Sequence, residues 1–338
     1  MSTCSDPATP RALLVGLGPT TASALHGLAR ELTVCGLIRP GADGVVETAR
    51  RTGAEIVSDA SVRALRDAVD RLRPDVVVVS SYDRVLPADL LERVPFLNVH
   101  YGALPRMRGR AVVNWSVILG HPVTAITLHA LTPGLDDGGI LHQEMVPIGP
   151  EDTVATLYER LNHIQDRAIG PAARRRALGE GGTPQVGEPS YAATRVPGDG
   201  RIDWTRDAPS IERLVRGLGG PFPAAFTYLG LTRVEVHAAT AEPLSEVWEG
   251  VVPGRVHSVD RARGEVLVFA GAGVVRLRTV SVADAGPVPA ATVITSTRQT
   301  LGLDLDAVLD RLQQLESVVR ALRPDTEHDP LSVRRLVS

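Results

Sequence analysis

Lysine is absent from the 338-residue sequence, so all 36 strong cations are arginines. That excludes a Schiff-base lysine and the lysine of a Walker-A phosphate loop. Cysteine is almost as scarce. Cys4 and Cys35 cannot supply a disulfide framework, and Cys35, inside "TVCGLI", reads as a small buried residue. No apolar run approaches the ~18–20 residues of a membrane span. The start, "MSTCSDPATPRALLVG", lacks the basic, apolar and cleavage segments of a secretory signal. These absences predict a cytoplasmic protein with no membrane partner. Excess charge is missing too: a net charge of −3 argues against nucleic acid as partner, which would call for a basic face. The nine histidines show no metal-ligand spacing, so no metal is expected. No internal repeat is found.

What is present fits a soluble globular chain, 43% apolar and 22% charged, long enough for two domains. Short apolar runs alternate with helical patterns through the first half. "ALLVG" (Ala12–Gly16), "TVCGLI" (Thr33–Ile38), "EIVS" (Glu55–Ser58), "DVVVVSS" (Asp75–Ser81) and "FLNVH" (Phe96–His100) read as strands. Val62, Leu65, Val69 and Leu72 mark one face of a helix between the third and fourth. Runs this apolar suit strands covered on both faces, which predicts a mostly parallel α/β sheet. "AVVNWSVILG" follows as a short helix, "AITLHAL" as a strand, and Thr153 to about Leu178 as a long helix. From Gly179 to Gly200 the Gly, Pro, Ser and Thr content reads as a linker. Five short β runs after it predict a small barrel. The reading gives a first domain over 1–190, a barrel over 191–302 and a terminal helix and tail over 303–338. Leu305, Val308, Leu312, Leu315, Val319 and Leu322 recur at 3-4-3-4-3 spacing, so that helix could form a homodimer seam or dock on its own chain.

Asn98 and His100 share one side of the fifth strand, at the carboxyl end where open α/β sheets bind ligands. Alone they could be a capped turn, and "DDGG" could be a tight turn. With Asp136 and Asp137 delivered by "AITLHAL" into the glycine turn, Asn98, His100 and one of these carboxylates would suit acyl transfer: an amide for an oxyanion, an imidazole for a proton, a carboxylate to orient it or a water.

The pieces Asn98-x-His100, "LPRMRG" and "LDDGGIL", in this order and spacing, resemble the folate-dependent formyltransferases. That family includes methionyl-tRNA, glycinamide ribonucleotide, sugar and hydroxyornithine formyltransferases. "GDGRIDW", "IERLVRGLGGPFPAAFTYLG" and "VPGRVHSVD" extend the resemblance to its two-domain members, covering roughly residues 10 to 305. The resemblance implies a Rossmann-like domain followed by an OB-like barrel, and 10-formyltetrahydrofolate as one-carbon co-substrate. Asn98 and protonated His100 would steady the oxyanion, and Asp136 would support His100 and help remove the amine proton; Asp137 falls on a variable position. The pterin would lie against Tyr82, Arg84, Val85 and Leu86 on one side, and Leu131, Thr132, Pro133, Gly134 and Leu135 on the other. Read without the resemblance, "SYDRVLP" is an ordinary loop. The family's Ser-Leu-Leu-Pro is Gly102-Ala103-Leu104-Pro105 here, and "VGLGPTT" lacks the third glycine of a dinucleotide fingerprint.

The amine acceptor is expected to be a small molecule. The segment after the second strand, "RPGADGVVETARRTG", is short and mixed in charge, unlike the basic insertion of methionyl-tRNA formyltransferases. Arg106, Arg108 and Arg110 form a loop suited to phosphate, which ranks an amino-sugar nucleotide first. Hydroxyornithine comes second and initiator tRNA third. A nicotinamide dehydrogenase would want an acid after the second strand, where Arg39-Pro40 stands. A non-catalytic folate- or nucleotide-binding protein would have lost a member of the triad.

Overall fold

Four of the five apolar runs become strands in which most residues are buried, while the third, Glu55–Ser58, is half-buried or exposed at the edge of the sheet. The computed structural model describes residues 9–220, 222–283 and 285–322. In chain order the first unit contains β1 (Arg11–Val15), α1 (Thr21–Leu28), β2 (Thr33–Ile38), α2 (Gly44–Arg51), β3 (Glu55–Val57), α3 (Val62–Leu72), β4 (Val76–Val79), α4 (Ala88–Leu91) and β5 (Phe96–His100). It continues with β6 (Arg108–Gly109), α5 (Val112–Ile118), β7 (Val123–Ala130), β8 (Ile140–Pro147), α6 (Val154–Ala177), β9 (Tyr191–Ala192) and α7 (Ala208–Arg216). The main sheet has the order β3-β2-β1-β4-β5-β7-β8. Its first five strands are parallel, and β7 and β8 are antiparallel additions. The strand order reverses between β1 and β4, so the crevice beyond their carboxyl ends is the expected binding place.

Both faces of this sheet are covered. Ala12, Leu14, Val76 and Val78 pack with Leu25, Leu28, Leu157 and Leu161 of α1 and α6. On the other face, Leu13, Val15, Val77 and Val79 pack with Leu65 and Val69, from the predicted stripe of α3. Ser61 caps α3 by accepting the Ala64 N–H at 3.1 Å. Thr153 caps α6 likewise through the Thr156 N–H at 3.2 Å.

The second unit holds β10 (Ala225–Leu229), β11 (Thr232–Glu242), β12 (Val256–Asp260), β13 (Glu265–Phe269), β14 (Val274–Val282), β15 (Val288–Pro289), α8 (Ala290–Val293) and α9 (Leu305–Leu322). Its antiparallel order is β10-β11-β14-β13-β12, with β15 on β14. Bridges from Leu229 to Leu301 and from Arg255 to Thr300 tie both edges to one segment, closing the sheet into a barrel.

The division of the chain differs from the expected boundary at 190/191. The first unit runs to Arg201 and regains Pro209–Ala225, while the second takes Ile202–Ala208 and the chain from Phe226 onward. The expected linker is also corrected: residues 179–200 belong to the first unit. Thr183 bridges Ile140, and Tyr191–Ala192 pairs with Arg108–Gly109. Gly and Pro there serve irregular backbone whose polar groups are satisfied by neighbouring loops. In α9 the seam side chains Leu305, Leu312, Leu315 and Val319 are 64%, 51%, 46% and 51% exposed, so the helix does not bury them within its own unit. Cys4 and the Leu322 side chain lie outside the described residues.

Candidate active site

Asn98 and His100 leave β5 on one face, and the antiparallel register sets Asn98 opposite His129 and His100 opposite Thr127. His129 Nδ1 lies 2.9 Å from the Ala130 carbonyl, which can only accept, so Nδ1 carries a proton. In the neutral ring Nε2 is then an acceptor, and Asn98 Nδ2 donates to it at 3.0 Å. The second N–H of that amide reaches Asp136 Oδ1 at 3.4 Å, a long bond that is easily released. His129, fully buried, was not among the predicted site residues. Its signal is a lone imidazole inside the apolar run "AITLHAL".

Asp136 projects from the turn after β7 with a φ of 49°. Its Oδ2 accepts the Gly109 N–H at 2.8 Å. Gly109 has a φ of 103°, and a Cβ there would lie 2.6 Å from the Ala192 carbonyl oxygen. Only glycine can present its amide to the carboxylate at that point. Gln185 Nε2 braces the same turn by donating to the carbonyls of Asp136 at 2.7 Å and Gly138 at 2.9 Å. The misread linker is thus a wall of the site.

His100 is buried and donates Nε2–H to the Met107 carbonyl at 2.8 Å. Its Nδ1 lies 3.6 Å from Asp136 Oδ2. Burial pushes the His100 pKa below its ordinary value, and the nearby carboxylate opposes this without overcoming it. Desolvation therefore favours the neutral ring over the imidazolium, and a neutral ring donating from Nε2 would carry its lone pair on Nδ1. Burial works against ionised Asp136 as well. Hydrogen bonding and attraction to the protonated forms of His129 and His100, together with the Gly109 N–H, nevertheless hold the carboxyl down at about 2. Asp136 is a carboxylate at neutral pH.

These groups open into a cavity of about 820 Å³ within the first unit. Tyr82, Arg84, Val85 and Leu86 line it, as do all five residues from Leu131 to Leu135. The backbone amides of Asp83–Leu86 bond to no described residue, while Val85 and Leu135 are 88% and 56% exposed. An unsatisfied backbone edge beside apolar side chains suits a flat ring with amide-like donors and acceptors, so these residues fit a pterin. Tyr82 itself is anchored, its hydroxyl donating to the Ala60 carbonyl at 2.8 Å. The "GLGPTT" segment is a tight strand-to-helix turn, in which a Cβ on Gly18 would strike Ser81 at 2.7 Å.

The three loop arginines are not brought together at the cavity. Arg110 lines it; Arg106 is exposed and does not. Arg108 turns to Gln185, donating from Nη2 to Oε1 at 2.8 Å. Its Nε is buried without a partner. Arg195, which sequence reading missed, lines the cavity instead, its guanidinium 4.8 Å above the Trp115 ring. Among the described residues no three His, Cys, Asp or Glu groups converge as a metal site would require, and no helix is long and apolar enough to cross a membrane.

A Rossmann-like sheet with an amide, an imidazole and a carboxylate at one strand end fits a group transferase of the acyl-transfer class. The formyl transferase family model matches residues 40–172, and that of the formyl transferase C-terminal domain matches residues 196–298. A methionyl-tRNA formyltransferase of Gluconobacter oxydans is 35% identical over 243 residues, covering 69% of this chain and 75% of that protein. One from Sorangium cellulosum is 31% identical over 312 residues, covering 87% and 99%. A HypX structure from Aquifex aeolicus, solved with tetrahydrofolic acid, has a TM-score of 0.60 at 18% identity and shares the fold. It covers 86% of this chain, which spans about half (48%) of HypX. The Clostridium thermocellum methionyl-tRNA formyltransferase structure has a TM-score of 0.54 at 17% identity, covering 69% of this chain and 94% of its own. The chain belongs to the formyltransferase family. It is an N-formyltransferase whose one-carbon donor is 10-formyltetrahydrofolate.

Proposed function

We propose that the acceptor is the primary amine of a nucleotide-linked amino sugar. The observation that carries this reading is the combination, in one cavity, of the Asn98–His100–Asp136 cluster with an arginine, Arg110. The segment after β2 supports a small acceptor. Arg39 is spent internally, donating to the Gly16 carbonyl at 2.9 Å and pairing with Asp43 at 2.6 Å. Arg50 and Arg51 lie 3.9 and 3.6 Å from Glu47, so the segment is mixed in charge rather than the basic arm a nucleic acid would call for.

The donor, when bound beside residues 82–86 and 131–135, supplies an electrophilic formyl carbon. Asn98 Nδ2 gives up its long bond to Asp136 and offers that N–H to the formyl oxygen as negative charge develops. Unprotonated His100 Nδ1 takes the proton of the attacking amine while Asp136 offsets the positive charge on the ring. The ring then returns that proton to the donor nitrogen as its bond to the formyl carbon breaks and tetrahydrofolate leaves. Gly109 and Gln185 keep the carboxylate where that charge forms.

A second reading is formylation of methionyl-tRNA, favoured by the names of the relatives. The test incubates the enzyme with 10-formyltetrahydrofolate and, separately, a nucleotide-linked amino sugar, hydroxyornithine and charged initiator tRNA. Mass spectrometry should find one added formyl group on the sugar nucleotide. Formylation of tRNA alone would install the second reading, and of hydroxyornithine alone would reject both.

A further inference from the structure

We infer that Arg110 and Arg195 are the residues that read the phosphates of the acceptor, Arg195 resting on Trp115 until they arrive. This rests on the formyl-transfer reading for the amine, though not for the anion. Each guanidinium carries five N–H donors and needs acceptors. Most arginines of the first unit that touch a loop have them: Arg39 pairs with Asp43, Arg108 with Gln185, and Arg176 with the Phe96 carbonyl. Arg110 and Arg195 have neither hydrogen bond nor ion pair to a described residue, and both line the cavity that holds Asp136. Arg195 feels Asp199 only at a distance beyond ion pairing.

The Trp115 indole gives the idle Arg195 a defined position. Its Nε1 donates to the Ala193 carbonyl at 2.8 Å, and the guanidinium lies over its face. A cation–π contact leaves the edge of the guanidinium free, which is the edge that forks onto phosphate oxygens. Tyr158 and Phe222, with ring centroids 5.4 Å apart, line the same cavity and offer apolar surface to a sugar or base. One carboxylate would leave most of these donors unused, whereas a diphosphate matches two forks.

Titration calorimetry would use uridine diphosphate, pyrophosphate and uridine as probes, with 5-formyltetrahydrofolate to monitor the donor half. The diphosphate should bind, pyrophosphate more weakly, and uridine alone hardly at all. Arg110→Ala and Arg195→Ala should each weaken diphosphate binding about tenfold or more. Affinity for 5-formyltetrahydrofolate should stay unchanged, which also shows that the variants fold. Absence of diphosphate binding, or unaltered binding in both variants, would overturn the assignment. So would variants that lose only folate affinity, because the arginines would then hold the donor's carboxylates. If the anions bind as expected but no amine is formylated, the acceptor reading fails while the phosphate wall stands.

Helix α9 presents a second, independent surface, and we propose that it pairs in parallel with α9 of a second copy. Leu305, Leu312 and Val319 fall at one core position of the heptad and Val308 and Leu315 at the other. An isolated 18-residue helix exposing such a stripe has little to hold it in water. In register and parallel, Arg311 of each copy meets Glu316 of the other. An antiparallel pair would set these charges against Val318 and Leu309. Sedimentation equilibrium of the full chain should show a dimer, lost in Glu316→Arg and restored in the Arg311→Glu, Glu316→Arg double variant. A wild-type monomer at all concentrations, or a dimer indifferent to Glu316→Arg, would overturn this pairing.

Discussion

Asn98, His100, His129 and Asp136 sit on strand ends and a pinned turn, with their N–H groups and carboxylate engaged by one another or by backbone. Arg110 and Arg195 line the same cavity from loops and have donors to spare. One region is set before any ligand arrives, as transition-state stabilisation demands, since reorganisation at the moment of reaction would cost rate. The other, on the reading proposed above, is left for an acceptor to complete. The chemistry can therefore stay fixed while acceptor choice drifts with a few loop residues.

Changes to the fixed region should strike turnover and leave affinity alone. His100→Ala and Asp136→Ala should each lower kcat at least about 100-fold. Steady-state kinetics beside a thermal melt would check this, and wild-type-like turnover in either variant would remove that residue from the chemistry. Next in size is the pH dependence of stability. The folded Asp136 carboxyl titrates at about 2, below its ordinary value of 3.8, so its contribution of about 2 kcal/mol is full above that ordinary value and is lost as pH falls through about 2. His100 acts in the same sense, because its lowered pKa gives stability that is present above its ordinary value of 6.5 and lost as pH falls below it. Melting curves from neutral to acid pH should flatten in Asp136→Asn; an unaltered acid limb would show that the carboxylate is not held as described.

Gly109→Ala should reduce kcat by about tenfold, since its Cβ would meet the Ala192 carbonyl and shift the N–H off Asp136. Donor affinity, measured in parallel, should hold; a variant as active as wild type would mean that the amide contributes nothing. Smallest of all, Asp137→Asn should change kcat by less than about threefold. Its carboxylate accepts from Thr132 on the rim and not from the reaction centre.

The sheet was legible because its strands are buried on both faces and its helices carry regular stripes. The pairing of Asn98 with His100 was legible because strand alternation is a local pattern, and the glycine turn flagged two carboxylates; the choice of Asp136, which the structure places beside both, came from the resemblance. His129 was not legible, since its importance comes from cross-strand register with Asn98, thirty-one residues away. Gly109 escaped notice because it acts through a backbone N–H, which every residue but proline possesses. Gln185 and Arg195 fell in a stretch whose composition reads as linker, and only the folded loops show that it walls the cavity. Arg108 and Arg110 look equivalent in sequence, yet one braces Gln185 and the other faces the cavity.

The most direct measurement compares kcat and KM for a nucleotide-linked amino sugar in Asp136→Asn and in the Arg110→Ala, Arg195→Ala double variant. The account predicts a fall in kcat at nearly constant KM for the first, and a rise in KM of tens-fold at nearly constant kcat for the second. Parallel movement of both parameters in both variants would contradict the division between a fixed reaction centre and an open acceptor wall.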